Sequence, residues 1–303
     1  MLLKDFIKES KEKLSAIYPE KEAGSLLNLV SESILGVQRY THIVDPAHQV
    51  EGAKLGRAQK VVERLVEGEP IQYILGKAHF YGYDFNVTPD VLIPRQETEL
   101  LCKMAIEEAG RKLRMRKAFG KSAEPVRILD MCTGSGCIAW TIALGMPGVE
   151  VYAVDISEGA LKVAKGQPFA KLVAEQGGKA PKFSQMDVLD LDQSTSFKPF
   201  DIIVSNPPYV MERERALMKK NVLDHEPELA LFVPDEDPLK FYKAIKEWSD
   251  RLLNHPGVVI MEINEALGQE TAELFKGKHG DKVEVIDDIY SKNRFVRFTQ
   301  NAL

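Results

Sequence analysis

The sequence predicts an α/β protein with a mainly parallel, doubly wound sheet, an antiparallel edge strand and a small N-terminal helical bundle. Apolar residues recur at helical spacing through residues 1 to about 70. From Val126 onward, short apolar strands alternate with helical segments. The chain has 303 residues, which is enough for about two domains, one of them with a full core.

The predicted helical domain covers residues 1–72. Its apolar stripes are Leu3, Phe6 and Ile7, then Leu26, Leu27, Val30, Ile34 and Leu35, then Leu55, Val61, Val62, Leu65 and Val66. Gly36 and Gly68 stand where helices are expected to stop, and Pro70 follows the second stop at a typical distance. Segments of this kind pack as a small helical bundle.

A hairpin linker is predicted over residues 73–95, where aromatic and β-branched residues surround Gly82 and Asp84. The second domain, residues 96–303, begins with a helix from Gln96 to about Lys117. Its candidate strands are VRILDM, VEVYAVD, KFSQMDV, FDIIVSN, GVVIMEI, KVEVID and RFVRFT, and its helices are 137–145, 157–175, 239–254 and 266–276. Only DIYSKN separates the last two strands, so they are expected to form a hairpin that makes one edge strand antiparallel.

Composition narrows the class of protein. The net charge of -5 argues against a mainly electrostatic nucleic-acid binder, although a basic patch can lie within an acidic total. The three cysteines form no CxxC and the six histidines no HExxH, so we predict neither a disulfide framework nor a metal site. No apolar run reaches the ~18 residues that span a bilayer, and the N-terminus has no signal-peptide core. These features predict a cytoplasmic protein.

The first strand of the sheet runs into a glycine-rich turn, Asp130-Met-Cys-Thr-Gly-Ser-Gly-Cys-Ile-Ala139. Gly134 and Gly136 allow a tight turn and a close approach to a ligand. Such a GxGxxA turn suits a dinucleotide, a flavin or S-adenosylmethionine, and it also occurs as a plain structural turn. Asp155 closes the second strand about 20 residues further on, where a carboxylate can accept from ribose hydroxyls. Asp187 ends the third strand, beside the expected adenine position, although a single aspartate there is more often a cap or turn residue.

The fourth strand ends in Asn206-Pro207-Pro208-Tyr209. Prolines after a strand also serve simply to end it. The functional interpretation is methylation of a planar nitrogen, whose lone pair is delocalised. The Asn206 side-chain oxygen and the Pro207 carbonyl would accept hydrogen bonds from the two N–H groups of this nitrogen. Tyr209 would stack on the planar group. Catalysis would then come from orientation and fixed dipoles rather than from a strong base.

These motifs resemble those of amino-methyltransferases, including enzymes that act on exocyclic adenine or cytosine nitrogens. Further segments resemble the HemK/PrmC family of protein-glutamine methyltransferases over nearly the whole chain. They are Glu69–Gly76, Phe80–Gly82, Leu92–Glu99, His225–Pro227, Ala230–Leu231 and Ser291–Arg294. The resemblance implies a Rossmann-like S-adenosylmethionine-dependent methyltransferase sheet and a helical domain that recognises the substrate. It implies S-adenosyl-L-methionine as cofactor and the glutamine of the Gly-Gly-Gln motif of class I peptide chain release factors as the methylated group. It implies no direct nucleic-acid partner and no membrane.

The family's roles fall on matching positions. The resemblance implies that Cys132, Thr133, Gly134, Ser135 and Gly136 line the methionine and ribose end of the cofactor, that Asp155 holds the ribose, and that Asp187 and Val188 flank the adenine. It implies that Asn206, Pro207, Pro208 and Tyr209 bind the substrate amide. Of these, Asn206, Pro207 and Tyr209 are implied to be catalytic, and Asn206 also to contact the cofactor.

Two residues depart from the family pattern, which usually has glycine at Cys132 and proline at Gln96. We expect altered cofactor packing and no loss of activity. Arg95, Glu97 and Glu99 are expected to form a floor beneath the amide, although helix N-terminal charges explain the two glutamates almost as well.

A basic cluster, Arg111, Lys112, Arg114, Arg116, Lys117 and Lys121, is interpreted as a solvated helix end, with contact to an acidic partner as the alternative. Two other functions stay open: a nucleic-acid adenine methyltransferase, which would need a surface for a flipped base, and a non-catalytic cofactor-binding partner protein.

Overall fold

The structure, a computed structural model, describes residues 1–120, 124–277 and 280–300. Lys121 of the basic cluster lies outside these residues. The chain divides into two compact units. One comprises Met1–Gly76 with Lys219–His225, and the other comprises Lys77–Met218 with Glu226–Leu303.

The regular elements run through the chain in the following order. The helices are α1 (Leu3–Ser15), α2 (Glu20–Val30), α3 (Thr41–Val44), α4 (Gly52–Val66), α5 (Ile71–Leu75), α6 (Thr98–Ala118), α7 (Cys137–Gly145), α8 (Glu158–Lys165), α9 (Ala170–Glu175), α10 (Lys220–His225), α11 (Lys240–Leu252) and α12 (Gly268–Leu274). The strands are β1 (Lys77–Phe80), β2 (Tyr83–Asn86), β3 (Val126–Met131), β4 (Val149–Asp155), β5 (Lys182–Gln185), β6 (Phe200–Ser205), β7 (Val210–Met211), β8 (Phe232–Val233), β9 (Leu253–Glu262), β10 (Lys282–Asp287) and β11 (Asn293–Gln300). A π-helical turn covers Ser31–Leu35, and 3₁₀ turns cover Leu191–Ser196, Glu212–Leu217, Glu228–Ala230 and Glu265–Leu267.

The first unit contains the N-terminal helices that the sequence predicted. Its core is formed by the predicted apolar stripes, including Leu3, Phe6, Leu27, Val30, Leu35, Val61, Val62 and Leu65. Val66, which was predicted to belong to the third stripe, is 36% exposed. Gly36 and Gly68 have φ angles of 71° and 89°, the left-handed conformation that ends a helix at little cost in glycine.

A two-stranded antiparallel hairpin opens the second unit, with Lys77 opposite Asn86 and Phe80 opposite Tyr83. Its two turn residues, Tyr81 and Gly82, both have positive φ angles, 51° and 80°. A turn with two such residues matches the right-handed twist of the strands that it joins. The aromatic segment therefore forms the hairpin that its composition predicted.

The main sheet has seven strands in the order β10-β11-β9-β6-β3-β4-β5. The central strands are parallel, and β6 lies on the opposite side of β3 from β4 and β5. The chain thus reverses direction across the sheet between β3 and β6, and ligands bind at such a switch point. The predicted fold class is confirmed.

The predicted hairpin forms the antiparallel edge of the sheet: the edge strand β10 pairs antiparallel with β11, and β11 pairs antiparallel with β9. The strand β10 therefore runs in the same direction as β9. The hairpin was predicted from its short turn, but its second strand pairs with β9 on the far side from β10. Local sequence sets the turn, whereas the long-range pairing decides which of the two strands is outermost.

Both faces of the sheet are covered, as in doubly wound folds. Neighbouring strand residues point to opposite faces, so Ile128 joins one apolar cluster and Leu129 the other. Helices α6 and α7 contribute to the first cluster, and α11 and α12 contribute to the second. The resulting rigid sheet holds the loops at its carboxyl edge.

The predicted helix 157–175 is divided into α8 and α9. Gly166 and Pro168 lie in the break, where proline removes a backbone donor and disfavours a helical residue before it. The third strand of the sheet stops at Gln185, so Asp187 lies beyond the strand rather than at its end. None of the helices in the described ranges is both long enough and apolar enough to cross a membrane.

Candidate active site

A cavity opens in the second unit at the carboxyl ends of β3, β4 and β6. Nine of the predicted site residues line it: Cys132, Thr133, Gly134, Ser135, Asp155, Asp187, Val188, Asn206 and Pro208. These residues lie at the carboxyl end of β4 or in the loops that follow β3, β5 and β6, and the strand order brings them to one edge of the sheet. Gly136, Pro207 and Tyr209 do not line the cavity.

The two glycines of the turn after β3 have different roles. Gly134 has a φ of 54°, and a Cβ added there would meet no protein atom within 4 Å. Gly136 has a φ of 78°, and a Cβ there would lie 3.0 Å from Ala164 Cβ and 3.1 Å from Trp140 Cδ1. Gly134 therefore keeps space open at the cavity, whereas Gly136 lets α7 pack closely.

Asp155 ties the end of β4 to the glycine turn. Its Oδ2 accepts from the Gly134 backbone N–H at 2.8 Å, and its Oδ1 accepts from that of Ser157 at 2.9 Å. Burial raises the pKa of Asp155, and the backbone donors oppose this shift. A carboxylate can accept about four hydrogen bonds, so Asp155 keeps capacity for hydroxyl groups in the cavity.

Asp130 anchors the same turn from within the sheet. Thr133 Oγ1 donates to Asp130 Oδ2 at 2.5 Å, and the other carboxylate oxygen, Oδ1, is buried without a hydrogen-bond partner in the described structure. Burial raises the pKa of Asp130 to about 7, against the effect of its hydrogen bond from Thr133. Asp130 does not line the cavity, so it supports the turn from behind.

Asp187 and Val188 form the third part of the cavity wall. Asp187 Oδ1 accepts from the Leu189 backbone N–H at 2.9 Å, which is the turn role that a single aspartate often has. Val188 is buried and packs against the cluster on the α11 face of the sheet. Both residues nevertheless line the cavity.

Asn206 follows β6 directly and is held by its amide nitrogen. Its Nδ2 donates to Thr98 Oγ1 at 3.2 Å, and Thr98 Oγ1 donates to Glu262 Oε2 at 2.6 Å. No hydrogen bond from another described residue reaches Asn206 Oδ1, so the amide oxygen is available as an acceptor.

Tyr209 lies at the other end of the tetrapeptide. Its hydroxyl donates to Glu262 Oε1 at 3.0 Å. Burial raises the pKa of the Tyr209 hydroxyl well above its usual value, and the nearby Glu262 carboxylate adds to the shift. Burial likewise raises the pKa of Glu262, while its hydrogen bonds from Thr98 and Tyr209 oppose the shift.

Glu262 and Thr98 were not predicted as site residues. Glu262 is the last residue of β9, and a polar residue at the carboxyl end of a strand is the feature that identified Asp155 and Asp187. The same signal could have identified Glu262. Thr98 begins α6, a position at which threonine usually suggests no more than a helix cap.

The expected floor of charged residues is only partly present. Arg95 lines the cavity and forms an ion pair with Glu226, with Nη2 2.7 Å from Oε1. Glu99 instead accepts from the Tyr81 backbone N–H at 2.8 Å, and Glu97 does not line the cavity.

Part of the basic cluster has internal partners. Arg111 pairs with Glu108, and Arg116 pairs with Asp201, in both cases at hydrogen-bond distance. Lys112 is buried and donates to the Pro256 carbonyl at 2.8 Å. Lys112 and Arg116 are thus held within the second unit, whereas the Arg111 side chain is 44% exposed and agrees with the solvated helix end that was predicted.

Comparison with known proteins agrees with this architecture. A family model described as a methyltransferase domain matches residues 123–294, and one described as the PrmC N-terminal domain matches residues 5–76. The sheet, its cavity and these matches define a methyltransferase-domain protein.

Relatives narrow the class further. The chain is 40% identical over 288 residues to the release factor glutamine methyltransferase of Bacteroides thetaiotaomicron, covering 94% of this chain and 96% of the relative. It is 37% identical over 300 residues to that of Flavobacterium psychrophilum (98% and 99% covered), and 37% identical over 278 residues to that of Bacillus subtilis (91% and 90%). The chain belongs to the release factor glutamine methyltransferase family.

Proposed function

We propose that this protein transfers a methyl group from S-adenosylmethionine to the side-chain amide nitrogen of the glutamine in the Gly-Gly-Gln motif of class I release factors. The observation that carries this proposal is the orientation of Asn206. The Asn206 amide nitrogen donates a hydrogen bond to Thr98, which leaves the Asn206 amide oxygen as an acceptor beside the cavity. An acceptor is what a substrate amide N–H requires.

The cavity fits the proposed cofactor. Cys132, Thr133, Gly134 and Ser135 would line its methionine and ribose end, where Gly134 leaves room for a close approach. Asp155 would accept from the ribose hydroxyls, and Asp187 and Val188 would flank the adenine. When bound, S-adenosylmethionine supplies an electrophilic methyl group on a sulfonium.

The protein's part in the chemistry is to hold the acceptor nitrogen. Asn206 Oδ1 and the Pro207 carbonyl would each accept one N–H of the substrate amide, which increases the electron density on nitrogen. The methyl group would move to nitrogen as its bond to the sulfonium breaks, which leaves a neutral thioether. The amide proton, made acidic by this transfer, would then pass to water. Alignment and fixed dipoles of this kind commonly contribute several kcal/mol each in enzymes.

The proposed partner is a protein, and we assign its recognition to the helical unit, residues 1–72 in the sequence-based division. Tyr209 does not itself line the cavity but directly follows Pro208, which does. We propose that its ring stacks on the glutamine amide of the bound substrate, and the hydrogen bond to Glu262 would limit the rotation of the ring. The protein would act in translation termination and therefore in the cytoplasm.

Labelled methyl transfer tests the proposal. The protein is incubated with methyl-tritiated S-adenosylmethionine and a purified class I release factor, with DNA and RNA in parallel reactions. A release factor whose motif glutamine is replaced by alanine is the matched control. We expect label in the unaltered release factor alone. Label in nucleic acid alone would favour an adenine methyltransferase instead.

Asn206→Ala separates catalysis from binding. This variant should lose methyl transfer but keep its affinity for the cofactor, because Asp155 and the glycine turn are unchanged. Transfer at the wild-type rate would contradict the proposed role of Asn206. If the wild-type protein bound the cofactor but transferred no methyl group, the non-catalytic partner hypothesis would be favoured.

A further inference from the structure

We infer that Glu262 and Thr98 are positioning residues, which determine that the oxygen of the Asn206 amide, and not its NH₂ group, faces the substrate. This inference rests on the proposed function, since it concerns how the same site presents its acceptor. Neither residue was predicted as a site residue from the sequence, and neither is proposed to touch the reacting atoms.

The direction of the hydrogen bonds carries the inference. Two hydroxyl donors, Thr98 and Tyr209, face Glu262 and stabilise its ionised form against the effect of burial. An ionised carboxylate can only accept, and a threonine hydroxyl has one proton. Because Thr98 gives that proton to Glu262 Oε2 at 2.6 Å, only its lone pairs remain for Asn206. The hydroxyl must therefore accept from Asn206 Nδ2, at 3.2 Å, and the amide oxygen is left on the other side.

The alternative orientation of Asn206 would be unproductive. With the amide rotated by half a turn, the NH₂ group would face the N–H bonds of a substrate amide, and two donors would oppose each other. The side chains of asparagine and its rotated form have nearly the same shape, so packing alone discriminates poorly between them. The protein can therefore distinguish the two orientations of the Asn206 amide through the direction of its hydrogen bonds.

Burial makes the arrangement rigid. Thr98 is 2% exposed and Glu262 is 1% exposed, so water does not compete well for these groups. Thr98 begins α6 and Glu262 ends β9, two elements that pack within the second unit. A satisfied polar network in such surroundings specifies one geometry strongly.

The same carboxylate also holds Tyr209. The Tyr209 hydroxyl donates to Glu262 Oε1, so the two carboxylate oxygens serve opposite ends of the Asn206–Tyr209 tetrapeptide. One buried group thereby sets both the amide acceptor, through Thr98, and the neighbouring ring. This double role predicts that Glu262 affects turnover more than Thr98 does.

The Thr98 hydroxyl can be removed without much change in shape. Thr98→Val replaces the hydroxyl by a methyl group, and Thr98→Ser keeps the hydroxyl while removing a methyl group. Thr271→Val is the matched control, because Thr271 is also fully buried but its Oγ1 has no hydrogen-bond partner in the described structure. For each variant we would measure kcat and KM with the release factor, and the Kd of the cofactor.

We expect Thr98→Val to lower kcat at least about tenfold. This corresponds to the loss of one well-placed hydrogen bond in the transition state, the one between the Asn206 amide oxygen and the substrate. Its cofactor Kd should stay within about twofold, since binding does not use this interaction. Thr98→Ser should recover kcat to within about threefold of the wild type, and Thr271→Val should leave it unchanged.

Glu262→Gln tests the direction of the hydrogen bonds that run from Asn206 through Thr98 to Glu262. Glutamine has nearly the shape of glutamate, but it carries a donor as well as an acceptor, so it no longer forces Thr98 to donate. We expect a loss of kcat at least as large as that of Thr98→Val, with the cofactor Kd again preserved. If Glu262→Gln does not fold, as its failure to bind the cofactor would show, the Thr98 variants decide alone.

Two outcomes would overturn the inference: wild-type kcat in Thr98→Val, or a Thr98→Ser variant as slow as Thr98→Val, since then shape and not the hydroxyl would matter. The failure of the proposed function would look different. In that case the wild-type protein itself would not methylate the release factor, and both the proposed function and this inference would be wrong.

Discussion

Cys132 occupies a position that suits glycine. Its φ of 60° lies in the left-handed region, which costs a residue with a side chain about 1 kcal/mol or more. Its thiol also packs beside the cluster on the α11 face of the sheet, so a substitution changes contact and strain together. Cys132→Gly and Cys132→Ala both lose the thiol, but only glycine relieves the strain.

We therefore expect Cys132→Gly to have a free energy of unfolding about 1 kcal/mol higher than that of Cys132→Ala. Urea denaturation of the two variants measures this difference. Turnover of the glycine variant should be at least as high as that of the wild type. Equal stability of the two variants would show that the surrounding loop absorbs the strain.

Asp155 is the residue on which the proposed cofactor site depends most. Asp155→Asn replaces one acceptor oxygen by a donor that would face the N–H of Gly134 or Ser157, both now bound by the carboxylate. We expect the cofactor Kd to rise at least about tenfold, as for the loss of a hydrogen bond to a charged group. Isothermal titration calorimetry measures the Kd.

Asp190→Asn is the matched control for Asp155. Asp190 also accepts from backbone, at Asp192 N, but it is exposed and does not line the cavity. Its substitution should change the cofactor Kd by less than about twofold. A comparable loss in both variants would mean that Asp155 acts through general stability rather than through the ribose.

Individual site residues differed in how far the sequence could predict them. The ends of successive strands must meet at one edge of a parallel sheet, so the strand pattern alone was enough to place Asp155 and Asn206 together. Thr98 and Glu262 are separated by 164 residues and make contact only because α6 packs beside β9. No spacing rule connects such a pair, and the hydroxyl of Thr98 has an ordinary explanation as a helix cap.

Two loops of the cavity wall are joined by one buried carboxylate. Glu226 Oε2 accepts from the Ile93 backbone N–H at 3.2 Å, and its Oε1 accepts from Arg95. The Glu226 side chain is 1% exposed, so these bonds are shielded from water. The cavity-lining residues Pro227, Leu229 and Ala230 follow it directly.

Glu226→Ala should lower the free energy of unfolding by about 2 kcal/mol, because two charge-assisted hydrogen bonds are lost and a buried donor is left unpaired. Glu228→Ala is the control: Glu228 pairs with Arg215, and both side chains are exposed, so its removal should cost less than about 1 kcal/mol. Chemical denaturation compares the two. Similar losses would show that the buried link does not hold the loops.

Elements were predicted best where local chemistry determines them. The segments β3, β4, β10 and α7 have the predicted bounds because their apolar runs end at charged or turn residues. The helix predicted at 157–175 failed because Gly166 and Pro168 outweigh the apolar pattern on either side. The position of β11 inside the sheet could not be predicted, since it depends on pairing with β9.

At the scale of the whole molecule, the sheet buries carboxyl groups that would be ionised in the unfolded chain. Asp130, at the centre of the sheet, is fully buried, and its pKa is raised from 3.8 to about 7. Between these values the folded protein binds a proton that the unfolded chain has released. Raising the pH through this interval therefore destabilises the folded state.

Asp130→Asn removes this titration while keeping an oxygen that can accept from Thr133. As the pH rises from about 4 to about 7, the wild type should lose stability relative to Asp130→Asn by up to about 1.4 kcal/mol per pH unit, and the difference should level off above that range. Urea denaturation of both proteins at several pH values measures this difference in stability. The contributions of the other buried acids, Glu262 and Asp155 among them, are largely the same in both proteins and cancel in the difference. A difference that stayed constant or changed in the opposite direction would show that Asp130 is ionised throughout, and that the sheet and the glycine turn stabilise its charge despite its burial.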